Sequence, residues 1–367
     1  MLVPVKYFLI LFLMCLAGCN NRRETQVLFA PAQQQPQQKQ DQQQSHQQPQ
    51  QPQQPQPQDV ACYRIPALVT APNGNLIAVC DQRVPSCADL KGNRDINIVM
   101  RTSADDGETW SDMQTIVDYP EGQSASDPSL ITDRITGTIF LFFNYMDHDR
   151  GKDIYYLRVT KSPDNGKTWS TPEDITHQIT KPDWHRDFQF ITSGRGMQTR
   201  SGKLVHTLVN LQKGLYLFGS DDHGQSWCLL DVPLKPGDES KVIELDDGTW
   251  MVNSRVNGAG HRYVHLSADR GKTWITHAEA GLADPGCNAS LIREGKVLFF
   301  ANLNCTDRRE NLTLRVSTDG GKSWGAGKTV CAGNSAYSSM TFIPGKGIGL
   351  LYERNNYREI VFTRINP

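Results

Sequence analysis

This 367-residue chain has little of what a helical protein needs: no stretch carries apolar residues at helical spacing over the dozen positions a stable helix requires. Charge of one sign is also missing, since 38 Lys and Arg balance 39 Asp and Glu for a formal net charge of −1. Without a basic stripe interleaved with aromatics, nucleic acid is not an expected partner. No group of Cys and His residues has zinc-ligand spacing, so neither a metal nor a cofactor is expected. The longest apolar run, residues 7–16, is too short to cross a bilayer.

That run follows Lys6 near the N-terminus and reads as a secretory signal. It closes with Leu16-Ala17-Gly18-Cys19, which resembles the bacterial lipobox. The resemblance implies cleavage after residue 18, lipidation of Cys19, and a cell-envelope lipoprotein of the outer membrane, surface-exposed or periplasmic. Residues 33–58 then hold 17 Gln and 5 Pro in 26 positions with no aliphatic or aromatic residue to bury. Such a segment cannot offset the entropy of folding, and it reads as a tether between anchor and domain. The expected organisation is a signal at 1–18, a lipidated segment at 19–32, a tether at 33–58 and one domain at 59–367. Beyond Cys15 and Cys19 seven cysteines remain, an odd number whose pairing spacing does not fix. At least one is left free.

What the domain does have is a repeat. Ser-x-Asp-x-Gly-x-Thr/Ser-Trp returns at residues 103–110, 162–169, 220–227, 267–274 and 317–324. The copies start 59, 58, 47 and 50 residues apart, the period of a supersecondary unit. Each reads as a hairpin corner in which Asp bonds backbone N–H groups, Gly supplies positive φ and Trp packs the corner down. Strand-like runs precede each box, as at 95–102 and 153–161, and others lie between boxes, as at 138–143 and 203–209. The pattern predicts an all-β, six-bladed β-propeller of four-stranded antiparallel blades. The sixth blade, lacking a box, would combine strands near 348–352 and 358–365 with the first strand near 63–70.

The boxes together with Tyr63-Arg64-Ile65-Pro66 make residues 59–367 resemble the bacterial and animal sialidases. That family clamps the carboxylate of sialic acid with three arginines, a planar anion suited to guanidinium forks. Arg64 matches the first. Arg255 stands 16 residues after Glu239 across an Asp-Gly turn and matches the second, with Glu239 as the family's base. Arg309, eight residues before the last box, matches the third, with Arg308 and Arg315 as neighbouring alternatives. Tyr337, soon after that box, takes the nucleophile's place, and Glu353 that of the carboxylate orienting the first arginine. Asp89, 25 residues after Arg64, matches the acid/base, with Asp81 and Asp95 as alternatives. Arg83 and Asp127 match further pocket residues; Trp184, Trp250 and His185 read as packing or rim residues, with Trp184 also a candidate for the aglycone side. Where relatives read Pro-Gly-x-Gly-Ile, this chain has Ser193-Gly194-Arg195-Gly196-Met197, which leaves the N-acyl side of the pocket open.

These residue types suit the reaction the resemblance implies. Sialic acid carries its carboxylate on the anomeric carbon, where a second carboxylate would be repelled. A phenol avoids that repulsion, and sialidases are the tyrosine exception to the two-carboxylate rule of glycosidases. The implied activity is exo-α-sialidase hydrolysis of sialylated glycans with retention, by a monomer held at a membrane. Two rivals share the scaffold: a glycan-binding propeller without catalysis, and an intramolecular trans-sialidase.

Overall fold

A computed structural model of the protein describes residues 25–31, 60–151 and 153–366. The signal at 1–18, Cys19 and the Gln/Pro segment at 33–58 lie outside the described residues. The described residues are mostly β-strands joined by turns, with one short α-helix at Thr176–Ile179 and 3-10 turns at Leu90–Gly92 and Pro182–Trp184. The first strand, β1 (Thr25–Phe29), precedes the Gln/Pro segment. After that segment come β2 (Cys62–Thr70), β3 (Leu76–Val84), β4 (Asp95–Ser103) and β5 (Gln114–Val117), which form an antiparallel sheet in chain order. A second meander is β6 (Gln123–Thr132), β7 (Ile139–Asp147), β8 (Tyr156–Ser162) and β9 (Glu173–Asp174). The third is built from β10 (Gln189–Ile191), β13 (Leu204–Asn210), β14 (Gly214–Ser220) and β15 (Cys228–Leu234). Between β10 and β13 the chain makes two short strands. β11 (Gly194–Arg195) lies parallel to β6, and β12 (Met197–Gln198) pairs with β13. The fourth sheet holds β16 (Ser240–Glu244), β17 (Trp250–Ser254), β18 (His261–Ser267) and β19 (Ile275–Ala283).

The last sheet has seven strands: β20 (Ser290–Glu294), β21 (Val297–Leu303), β22 (Glu310–Ser317), β23 (Lys328–Ile343), β24 (Gly347–Arg354), β25 (Glu359–Ile365) and, at its edge, β1. The 16 residues of β23 pair with β22 through their first half and with β24 through their second. One feature therefore differs from the sequence reading, the strand at the edge of the C-terminal sheet. The described residues form four meanders plus one seven-stranded sheet in a propeller-like arrangement. The strand that completes the C-terminal sheet is β1, antiparallel to β25 with Thr25 opposite Thr363, while residues 62–70 head the first meander. Sequence reasoning missed β1 because five residues, Thr-Gln-Val-Leu-Phe, are too short for an alternation signal beside a polar low-complexity run. The Gln/Pro segment thus connects two strands of the fold.

The boxes explain how the sheets stay together. In each copy the Ser hydroxyl donates to the Asp carboxylate and accepts from the Gly N–H, as Ser103 does with Asp105 and Gly107 at 2.8 and 2.9 Å. The same Asp accepts from the backbone N–H and hydroxyl of the Thr or Ser two positions past Gly. These bonds hold the carboxyls of Asp105, Asp164 and Asp222 down to about 2, so the corners keep their charge across the physiological range. Gly107 has φ +88°, and a Cβ there would lie 2.3 Å from the Phe362 ring of the C-terminal sheet. The later box glycines approach Ile77, Phe140, Leu230 and Met251, each on the preceding sheet. Each box is therefore a clasp on the sheet before it, and the first box closes the circle onto the last sheet. Trp110 against Phe362 at 5.1 Å adds apolar contact to that closure, and Gln26 of β1 donates to the carbonyls of Gly107 and Glu108 in the same box.

Candidate active site

Antiparallel register puts the boxes and Arg64 at opposite ends of the strands. Arg64 pairs with Asp81 and Asp81 with Ile98, whereas Ser103 pairs with Leu76 and Leu76 with Thr70. At the Arg64 end a cavity of about 640 Å³ opens, and Arg64, Asp89, Asp127, Glu239, Arg255, Arg309 and Tyr337 line it. Seven residues spread over 274 positions thus meet at one cavity.

Three of these side chains are aimed by irregularities in innermost strands. The pairing of β2 shifts between Arg64 and Ala67, that of β6 between Ser126 and Ser129, and that of β23 between Ser335 and Ser338. A bulge bends its strand and turns a side chain out of the pleat. Ile65 sits at φ 59° and Asp127 at φ 61°. For a β-branched Ile this left-handed conformation costs about 1–3 kcal/mol. The offset is visible: buried Glu353 accepts the Ile65 N–H at 2.8 Å, the Tyr337 N–H at 3.1 Å and Arg64 Nε at 2.7 Å. Pro66 has no N–H to lose in the distorted ladder. One carboxylate thereby fixes the backbone of both bulges and the direction of Arg64.

Glu239 and Arg255 flank the β16–β17 hairpin, where Ser240 pairs with Ser254, so the 16-residue spacing is the length of that hairpin. The Glu239 carboxylate accepts from Arg255 Nη1 and, at 2.7 Å, from the Tyr337 hydroxyl. Arg255 Nη1 also reaches the Tyr337 oxygen at 3.2 Å, and its Nε donates to Asn257 at 2.7 Å. Burial and the Glu239 charge push the Tyr337 phenol well above its usual value, so it is held protonated with its hydrogen directed to Glu239.

Asp89 stands on the exposed loop after β3, its side chain 83% accessible. A disulfide joins Cys87 to Cys62 at the start of β2 and ties that loop to the sheet two residues from Asp89. Cys80, Cys228, Cys287, Cys305 and Cys331 are free. Partial burial works against ionisation of Asp89, but the Arg83 guanidinium, donating at 2.7 Å, holds its carboxyl below the usual range. Arg83 itself is a correction to the sequence reading. It is fully buried and lies behind the cavity wall, bound to Asp81 at 2.9 Å and to Asp89. Asp81 in turn accepts from Ser126 and from the Asp127 N–H. Burial raises the carboxyl of Asp81, and burial together with the nearby Asp81 charge raises that of Asp127.

The alternatives separate cleanly. Asp81 is enclosed, and Asp95 lies on β4 with Asn97 as its partner. Arg308 is an exposed ion pair with Glu310, and Arg315 is buried against Asn302. Trp184 takes the packing place and not the aglycone one: it is 2% exposed, packed 4.7 Å from Tyr216 in the core, and does not line the cavity. Sequence reasoning missed Tyr357, which follows Asn355 and Asn356, all three at positive φ. Its ring centroid lies 4.0 Å from the Arg64 guanidinium, and its hydroxyl accepts from Arg309 at 3.2 Å. The pair of Asn residues was the available signal for such a turn. Tyr155, Phe188, Phe190 and Leu211 form an apolar wall on the far side, also unforeseen.

Comparison with known proteins agrees with this arrangement. Residues 74–349 match the BNR repeat-like domain family. The sialidase of Micromonospora viridifaciens is 36% identical over 330 residues, which cover 79% of this chain and 50% of that protein. The sialidase of Bacteroides fragilis is 33% identical, covering 80% of this chain and 60% of that protein. The chain thus spans half to three-fifths of the length of these curated relatives. A solved Hadza microbial sialidase superposes with a TM-score of 0.75 at 30% identity, over 83% of this chain and 66% of that one. With its boxes and its arrangement of sheets, the chain belongs to the BNR repeat-like domain family.

Proposed function

We propose that this chain is an exo-α-sialidase that removes terminal sialic acid from glycans with retention. The observation that carries the reading is the hydrogen bond from the Tyr337 hydroxyl to Glu239 at the floor of a cavity holding Arg64, Arg255 and Arg309. Arg64 and Arg255 have internal carboxylates, whereas Arg309 meets only the Gly286 carbonyl and the Tyr357 hydroxyl. Three guanidinium groups around one space would receive the sugar carboxylate and set the anomeric carbon over Tyr337.

In the first half-reaction the Tyr337 oxygen bonds to the anomeric carbon, its proton passes to Glu239, and the glycosidic bond breaks as Asp89 protonates the leaving oxygen. With the pocket open Asp89 is ionised. A glycan over it excludes water and lifts its carboxyl toward the protonated form that this step needs. In the second half-reaction Asp89 takes a proton from water, the water oxygen replaces Tyr337 on the anomeric carbon, and Glu239 returns its proton to the phenolate. Sialic acid leaves with its configuration retained. A fluorogenic sialoside tests the reading: turnover by the wild type and its loss in Tyr337→Phe are expected, and an inactive wild type would leave a glycan-binding propeller instead. Chromatography of the product separates free sialic acid from the anhydro sugar of an intramolecular trans-sialidase.

The seven-stranded sheet supports counting six blades, since β23 serves two of them: β20–β22 with its first half, and β24, β25 and β1 with its second. Lipidation of Cys19 is proposed on the lipobox resemblance. With β1 docked from Thr25, the anchor would stand five residues from the domain, outside the described residues. Fatty-acid labelling that survives in Cys19→Ala would refute it.

A further inference from the structure

We propose a second, non-catalytic anion site at the opposite end of the central axis, where Arg134 and Arg195 would hold a small oxyanion of phosphate size. Arg195 lies in the Ser193-Gly194-Arg195-Gly196-Met197 segment, whose β11 strand runs parallel to β6. A cavity of about 380 Å³ opens there, lined by Arg134, Arg195, Thr70, Thr132, Gln198 and Thr341 together with small apolar residues. It contains two guanidinium groups, and among the described residues no carboxylate lines it. Thr70 ends β2 and Arg64 stands near its start, so six residues at about 3.3 Å each put this cavity about 20 Å from the catalytic pocket.

The arginines elsewhere in the molecule provide the contrast. Arg83, Arg262, Arg64 and Arg255 each meet a carboxylate, as an enclosed charge requires. Arg309 meets none and faces the cavity proposed for an anionic substrate. Arg195 shares that condition, since its only hydrogen bond among the described residues goes to the Met340 carbonyl at 2.9 Å, from a group with five N–H donors. Arg134 donates only to the carbonyls of Gln198 and Thr199. Burial and the charge of Arg134 pull the Arg195 guanidinium down to about 10, the mark of a cation without a counter-charge. A neighbouring cavity of about 170 Å³ shares both arginines and adds Arg293. Its one carboxylate, Glu244, is engaged with the Arg200 N–H at 2.7 Å. An anion between Arg134 and Arg195 would accept from both guanidinium groups.

Inorganic phosphate is the probe, titrated by calorimetry in an Arg309→Gln background so that the catalytic pocket contributes less. Arg134→Gln should weaken phosphate binding at least tenfold, and Arg195→Gln should abolish it. Thermal unfolding supplies a readout that loss of packing alone would not reproduce. In phosphate-free buffer Arg195→Gln should melt at or above the parent temperature, because an unmatched charge is gone. With saturating phosphate the order should reverse. Equal phosphate affinity in all three proteins, or no binding by the parent at tens of millimolar, would overturn the proposal.

Discussion

The Tyr337 hydroxyl and the Glu239 carboxylate meet at 2.7 Å although 98 residues separate them, and Arg255 reaches both. The phenol is raised well above its usual value, so it cannot act as a preformed phenolate. Its proton must leave during attack, toward the one carboxylate it touches. Glu239→Gln keeps a hydrogen-bond acceptor but removes the base, and turnover should fall by roughly 10²–10⁴-fold. A pre-steady-state burst that persists at the wild-type rate in this variant would contradict the role.

Tyr357 spans two arginines, stacking on Arg64 and accepting from Arg309. A cation–π contact of this kind contributes about 0.5–2 kcal/mol. Tyr357→Ala should raise KM for a sialoside several-fold to tenfold with a smaller change in kcat. Tyr357→Phe, which keeps the ring, should recover most of the loss. Equal defects in both variants, or a defect confined to kcat, would argue against positioning of the carboxylate clamp.

The Cys62–Cys87 bond fixes the loop that carries Asp89. Replacing both cysteines by Ala should reduce kcat while leaving KM for a small sialoside near its wild-type value, since Arg64, Arg255 and Arg309 lie outside that loop. A substituted disulfide also removes about 2–4 kcal/mol of stability, which denaturant melts will register separately. Unchanged kcat would show that the loop holds its place through Arg83 alone.

The Asp81–Asp127 pair makes a pH prediction. Both carboxyls are raised by burial, and that of Asp127 also by the Asp81 charge, so the folded protein binds more protons than the unfolded chain above the ordinary carboxylate value near 4. Their contribution to stability is full below that value and is lost as pH rises through the raised folded values. The melting temperature of the wild type should therefore carry a downward component from acid toward neutral and alkaline pH that Asp127→Asn flattens. Parallel profiles for the two proteins would contradict the shared burial of charge.

How far the sequence could be read depends on whether a signal was local or distant. The boxes were legible because each corner is closed by residues within eight positions, and the Glu239–Arg255 spacing was legible because it is the length of one hairpin. The ring's closing strand was not, since β1 is five residues long and its partner lies more than 300 positions away. Arg83 resembled a pocket residue in sequence, but on β3 its side chain runs into the network between Asp81 and Asp89 and is fully buried. Tyr357 left no catalytic signature because its position depends on a turn with three successive positive φ values. Arg195 looked like a departure in a pocket motif and instead faces the other end of the axis.

The most direct measurement is covalent trapping with a 2,3-difluorinated sialic acid, whose fluorines slow breakdown of the glycosyl-enzyme, followed by peptide mass mapping. The expected result is a single sialyl adduct on Tyr337 that turns over slowly and is absent from Tyr337→Phe. An adduct on Glu239 or Asp89, or steady hydrolysis with no adduct at any residue, would contradict a tyrosine nucleophile.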